Sequence, residues 1–221
     1  MSPTVVIPIR AGSKGLPGKN IRMLAGIPLF MHSVACARAA GIDDIVVATD
    51  IEDVLQSADH QFRVYRRSPE SATDTAPTHD VLIEVISALG LEDRMIVLLQ
   101  ATSPLRRPET VRKVISLFKA GAFDVCCSVS EIDNTLLKAG LVNGESFVPL
   151  LSAKALFSPR QELPRSYKMD GGTFVFSGAW LLERGNLETD RIGVVISGSE
   201  EFGDIDDMSD FNRVEQFILN G

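Results

Sequence analysis

The chain has 221 residues, a mass of 24.0 kDa and 45% apolar residues, enough for one domain with a sizeable core. Its net charge of −7 argues against a nucleic-acid-binding protein. No apolar run approaches the roughly 18 to 20 residues of a membrane span, and the opening MSPTVVIPIR reaches arginine too soon for a secretory signal, so a soluble cytoplasmic protein is expected.

The first apolar run, TVVIPI, is short and β-branched and reads as a buried strand, followed by a loop rich in Gly and Lys. PLFMHSVACARAAG then reads as a helix, with Pro28 in its first turn and Gly41 closing it. The alternation continues with DIVVATD as strand, IEDVLQSA as helix, RVYR as strand, THDVLIEVISALG as helix, MIVLLQ as strand, PETVRKVISLFKAG as helix and DVCCSVS as strand. From about Leu136 to Lys168 the pattern breaks: LKAGLV, a turn at Asn143 and Gly144, and SFVPLL predict a hairpin, followed by a polar segment with proline and arginine. TFVFS, AWLLERG, GVVIS and a helix near DFNRVEQFILNG return to the sheet. Strands apolar on both faces and alternating with helices predict an α/β, doubly wound, mostly parallel sheet, with ligands bound outside the carboxyl ends of its strands. The three cysteines, Cys36, Cys126 and Cys127, lack metal-ligand or disulfide spacing and read as buried thiols, and His32, His60 and His79 form no catalytic grouping.

Charge is distributed unevenly. Residues 1–42 contain no acid and carry +5, whereas Glu200, Glu201, Asp204, Asp206, Asp207 and Asp210 cluster between Ile192 and Asn212 without a base. A cationic entry segment in an acidic protein points to a small polyanionic ligand, and an acidic cluster of that density needs solvent or a cation. The string RAGSKGLPGKN, from Arg10 to Asn20, follows the first strand where an α/β ligand loop belongs. Its glycines let backbone amides approach phosphate oxygens, and Arg10, Lys14 and Lys19 add positive charge. It is neither a Walker loop nor a dinucleotide fingerprint. Asp204 and Asp206 form a D-x-D pair whose side chains share one face if the segment is extended.

IPIRAGSKGLPGKNI closely resembles the signature IPARGGSKGIPxKNI of the CMP-sialic acid synthetases, or acylneuraminate cytidylyltransferases. The resemblance continues in order through RSPESATDTAPT, LLQATSPLR, PRQELPRSY and GDIDD, and so covers nearly the whole chain. It implies a single Rossmann-like nucleotidyltransferase domain over residues 1–221, with about 136–168 forming an inserted dimerisation lobe that reaches toward a partner's active site in a homodimer. It further implies that Arg10, Ser13, Lys14 and Lys19 hold the triphosphate of CTP, that Asn20 contacts the ribose, and that Arg67, Ala76 and Thr78 read the cytosine. Gln100 and Ser103 would line the sugar site, joined by Lys138, Arg160, Gln161 and Tyr167 from the lobe. Arg106 either contacts substrate or stabilises its loop. Asp204 and Asp206 would anchor Mg²⁺, the implied cofactor.

One departure bears on the sugar. Where the family commonly has N-G-x-x-Y, this chain has Asp170, Gly171, Gly172, Thr173 and Phe174, which places Asp170 and Phe174 among the expected sugar contacts and leaves the sugar's identity open. The expected reaction is in-line transfer of CMP from CTP to a nine-carbon, sialic-type acid with release of pyrophosphate, and Arg10, Lys19 and Asp206 are the residues expected to carry it. CMP activation of an eight-carbon 3-deoxy-ulosonic acid, or a nucleotide-binding regulatory module without turnover, are the alternatives.

Overall fold

A computed structural model describes residues 1–12, 15–57, 60–73, 75–201 and 203–220. The chain proceeds through β1 (Pro3–Pro8), a two-stranded ribbon of β2 (Met23–Leu24) and β3 (Ile27–Pro28), α1 (Leu29–Ala39), β4 (Ile45–Thr49), α2 (Glu52–Leu55), β5 (Arg63–Arg66), α3 (Thr78–Leu89), β6 (Met95–Leu98), α4 (Pro108–Lys119) and β7 (Val125–Ile132). It continues through a hairpin of β8 (Gly140–Asn143) and β9 (Ser146–Pro149), then α5 (Ala153–Phe157), β10 (Ser166–Ser177), α6 (Gly178–Arg184), β11 (Ile192–Ile196) and α7 (Met208–Asn220).

Seven strands form one sheet in the order β5-β4-β1-β6-β10-β7-β11. All neighbours are parallel except β10, which runs antiparallel to both β6 and β7. The direction of β10 follows from its connection: after β7 the chain leaves into the hairpin region and returns down the sheet, with no crossover helix to restore the parallel sense. Strand order reverses beside β1, where β4 lies on one side and β6 on the other, and that junction is the switch point at which doubly wound sheets bind ligands.

Alternate residues of each central strand enter different cores, as a sheet covered on both faces requires. Val5, Ile7, Val47 and Val97 pack with Phe30, Val34 and Ala37 of α1 and with Val111 and Val114 of α4. Val6, Val46, Ile96 and Leu98 pack instead with Val81, Leu82, Val85 and Ile86 of α3 and with Leu181 of α6. A third cluster holds the functional end together: Leu16 from the glycine-rich loop, Leu24 from the ribbon, Leu29, Ile205 and, from α7, Phe211 and Val214. Ile205 is wholly buried, and burying such a side chain is worth about 1.5–3 kcal/mol, so the acidic segment is anchored between its two carboxylates.

Pro28 caps α1 from outside rather than sitting in its first turn, and Gly41, at φ 85°, lies one residue beyond the cap Ala40. The expected helix at IEDVLQSA shortens to the four residues of α2, in which only Val54 is buried, too little apolar contact to extend it. In the hairpin Asn143 pairs with Ser146, which makes Gly144 and Glu145 the turn. β10 begins seven residues before the expected TFVFS, taking the polar stretch SYKMDGG into the sheet.

Candidate active site

A cleft of about 510 Å³ opens at the carboxyl ends of β1 and β6. One wall is the loop after β1. Its base is folded back by Asn20, whose Nδ2 donates to Arg10 O at 2.9 Å, and tied to β4 by the Ala11 N–H on Asp50 Oδ1 at 2.8 Å. Arg10, Gly15, Lys19 and Asn20 line the cleft. Ser13 and Lys14, two of the expected triphosphate ligands, lie outside the described residues.

The opposite wall is the segment before α7. It lies so close to the loop that a Cβ on Gly15 would sit 2.3 Å from Asp206 O, which explains why this position has no side chain. The Lys19 ammonium donates to Ile205 O and stands 3.6 Å from Asp206 Oδ1. Asp204 and Asp206 both line the cleft. Burial pushes the Asp204 carboxyl above its ordinary value and repulsion from Asp206 adds to this, opposed by a hydrogen bond from Thr102 and by the charge of Lys19. Its Oδ1 is buried without a hydrogen-bond partner. An orphaned carboxylate oxygen facing a basic loop suits a cation.

The other acids of the cluster are engaged elsewhere. Glu201 accepts from the Arg107 N–H at 3.0 Å and from Thr110 Oγ1 at 2.7 Å at the start of α4, and Glu200 pairs with Arg107 at 3.0 Å. Asp207 accepts from the Asp210 N–H at 2.9 Å at the start of α7, while Asp210 pairs with Arg213 at 2.8 Å. Only Asp204 and Asp206 of the six reach the cleft. Among the described residues no group of three or more His, Cys, Asp or Glu is arranged to hold a metal. A cation here would take two protein carboxylates and complete its shell with phosphate and water oxygens, the usual arrangement for Mg²⁺ with a nucleotide.

The third wall comes from the segment leading into α3. Thr73, Ala76 and Thr78 line it, and α3 begins there with no side-chain cap on its first N–H groups. Arg10 NH1 donates to Thr73 O at 3.0 Å. Arg67 is buried, donating through NH1 to Ile9 O at 3.4 Å and through NH2 to Ser71 O, with Nε unpartnered. Burial lowers its pKa, against the nearby carboxylates of Asp50 and Glu84.

The residues expected at the sugar separate into three groups. Gln100 lines the cleft with Ala101 and Thr102, and Ser103 is buried behind it, its hydroxyl 3.5 Å from Asp170 O. Lys138, Arg160, Gln161 and Tyr167 do not border this cleft. Arg160 and Gln161 line a second one of about 420 Å³, where Arg160 pairs with Asp133 at 3.5 Å. Asp170 and Phe174 are not among the residues lining the cleft either. Asp170 is bonded to serines of β7 and to Ser197, and Phe174 packs on the α3 side of the core. Arg106 is 6% exposed and does not line the cleft, donating from Nε to Gly172 O, from NH1 to Ser33 Oγ at 3.1 Å and from NH2 to Gln100 O at 2.6 Å. Thr102 and Thr73 were not singled out from sequence, although both fall within the blocks LLQATSPLR and RSPESATDTAPT.

A family profile described as Cytidylyltransferase matches residues 4–164. The chain belongs to the cytidylyltransferase family. It is 33% identical over 228 residues to the CMP-N,N'-diacetyllegionaminic acid synthase of Legionella pneumophila, covering 96% of this chain and 94% of that protein. It is 30% identical over 219 residues to the N-acylneuraminate cytidylyltransferase of Streptococcus agalactiae serotype V, covering 97% of this chain but 52% of the relative, so it spans about half that protein's length. Among solved structures, a CMP:2-keto-3-deoxy-manno-octonic acid synthetase complexed with CTP superposes with a TM-score of 0.72 at 20% identity, covering 100% of this chain and 99% of the other. That likeness concerns the fold, and it agrees with a doubly wound cytidylyltransferase sheet. No helix among the described residues is long and apolar enough to cross a membrane.

Proposed function

We propose that this protein transfers CMP from CTP to the anomeric hydroxyl of a nine-carbon, nonulosonic acid. The observation that carries the proposal is the placement of Lys19 and the glycine-rich loop directly against Asp204 and Asp206 at the switch point, with Asp204 Oδ1 left unpartnered. The CMP-N,N'-diacetyllegionaminic acid synthase, aligned over nearly both full lengths, supports the class of acceptor.

In this reading the triphosphate lies between the loop and the acidic segment. Arg10 and Lys19 offset charge on the α-phosphate as the sugar oxygen attacks and pyrophosphate departs, so catalysis rests on positioning and charge compensation. Asp204 and Asp206 would hold Mg²⁺, which supplies further neutralisation of the triphosphate. Arg67, Ala76 and Thr78 would meet the base, Asn20 the ribose, and Gln100 with Ser103 the sugar. Ser13 and Lys14, by sequence, belong to the phosphate loop.

The lobe extends the same reading to a homodimer. Leu141, Val142, Phe147, Val148, Leu150 and Leu151 are all about half exposed or more, an apolar face of the kind a second copy covers. Pairing would bring Lys138, Arg160, Gln161 and Tyr167 of one copy toward the sugar of the other. The experiment is pyrophosphate release measured with Mg²⁺, CTP and a panel of nine-carbon and eight-carbon sugar acids. The proposal requires turnover with a nine-carbon acid and with CTP in preference to ATP and UTP. Turnover only with an eight-carbon acid, or none with any acid, contradicts it. Sedimentation of an active monomer contradicts the dimer.

A further inference from the structure

β10 changes register between Met169 and Phe174, and the irregular residues are Asp170 to Thr173. The stretch is held by one carboxylate. Asp170 Oδ1 accepts from Ser128 Oγ at 2.6 Å and from the Gly172 N–H at 2.8 Å, and Oδ2 accepts from Ser197 Oγ at 2.8 Å and Ser130 Oγ at 3.3 Å. Ser128 and Ser130 stand two apart on β7 and therefore face the same way, with Ser197 just beyond the neighbouring β11; all three are buried. Ser128 Oγ accepts in turn from the Thr173 N–H at 3.0 Å.

The other side of this bulge forms a wall beside Gln100. Gly171 has φ +71°, and a Cβ there would lie 2.6 Å from Gln100 Oε1 and 3.4 Å from Ser103 Oγ. Arg106 joins the two parts, donating to Gly172 O on the bulge and to Gln100 O on the loop after β6. Bulges beside binding sites commonly redirect the backbone in this manner. A carboxylate with four donors on it carries its charge into the serines rather than toward an acidic substrate.

We propose that Asp170 is a positioning residue that sets acceptor specificity: with Ser128, Ser130 and Ser197 it locks the Gly171–Gly172 bulge against Gln100, so that an acidic sugar meets backbone and amide groups there and not a free carboxylate. The inference rests on the reading that Gln100 and Ser103 border the sugar.

The test uses the full chain carrying Asp170→Ala, Asp170→Asn or Ser128→Ala with Ser197→Ala. An asparagine keeps an acceptor for the Gly172 N–H, and the serine hydroxyls rotate to suit its amide. The sugar KM is therefore expected to rise about tenfold or more in Asp170→Ala and in the serine double variant, to stay within about threefold in Asp170→Asn, and to leave the CTP KM unchanged. A serine double variant with the wild-type sugar KM, or an Asp170→Asn variant as impaired as Asp170→Ala, overturns the proposal, since either result makes the aspartate a direct contact. Amide exchange in the ligand-free chain separates this from the functional reading. Protection at Gly172 and Thr173 should fall at least about tenfold in the serine double variant while Val175 stays protected, whatever the enzyme's substrate proves to be. Unchanged protection at Gly172 and Thr173 refutes the lock itself.

Discussion

Replacing Arg106 with alanine strips Gly172 O of its donor and removes the shortest bonds to Gln100 O and Ser33 Oγ, which keep only a 3.4 Å bond to each other and, for Gln100 O, one of 3.4 Å from the Ser103 N–H. Each buried acceptor left without a partner costs about 1–3 kcal/mol. Part of that is returned, because the guanidinium no longer has to be stripped of water; its burial lowers its own pKa, against the carboxylates of Asp170 and Glu201. A net loss of about 3–5 kcal/mol remains. For a chain of this length each kcal/mol moves the melting temperature by about 2–4 °C, so Arg106→Ala should melt about 6–20 °C lower than wild type. Arg106→Lys keeps the charge and one or two of the bonds, and should fall between them. Thermal unfolding followed by circular dichroism, with steady-state kinetics on whatever fraction folds, measures both consequences. An alanine variant that melts within about 2 °C of wild type but has a raised substrate KM would refute the argument and make Arg106 a ligand contact.

Lys19→Ala should lower kcat by on the order of 10² or more, by analogy with losing one preorganised transition-state donor, and a variant that loses only CTP affinity would count against its role. Glu84 holds the turn at Ser68 to Ser71, ahead of the segment proposed to meet the base. Its burial raises its pKa, but hydrogen bonds from Ser71, the Ser68 N–H and hydroxyl and Tyr65 outweigh that and bring it below its ordinary 4.5. Its stabilising effect is therefore present above pH 4.5 and lost as pH falls through the depressed folded value, so Glu84→Gln should lower the melting temperature at pH 7 and the gap should close in acid. A gap independent of pH would show that the charge is not what holds the turn. Burial, with repulsion from Asp170 and Cys126, pushes the Cys127 thiol up to about 11, so it should react with a disulfide reagent at neutral pH only after unfolding. Rapid labelling of native protein would contradict its placement.

The strands β1, β4 and β6 were legible because both faces are buried, which leaves an uninterrupted apolar run in the sequence. The first half of β10 was not: SYKMDGG has a polar composition, and it becomes strand through pairing with Ile132, Glu131, Ser130 and Val129 of β7, a long-range contact without a local signal. The five-residue α5 is likewise invisible to periodicity and depends on its cap, Ser152, accepting from the Ala155 N–H. At the site, the basic glycine-rich loop and the D-x-D pair were readable as charge and spacing. Charge alone overcounted the acidic cluster, because the pairing of Glu200 and Glu201 with the start of α4 is tertiary. The same limit applies to Asp170, whose serine partners lie 42, 40 and 27 residues away.

In the proposed reaction a sugar oxygen attacks the α-phosphorus of CTP. A nine-carbon acid labelled with ¹⁸O at its anomeric hydroxyl, incubated with CTP and Mg²⁺ and followed by ³¹P resonance, tests it most directly. The expected outcome is a single phosphodiester product that retains the label in the bond between sugar and phosphorus, formed in equal amount with pyrophosphate. Release of inorganic phosphate instead of pyrophosphate, or a product without the label, would contradict it.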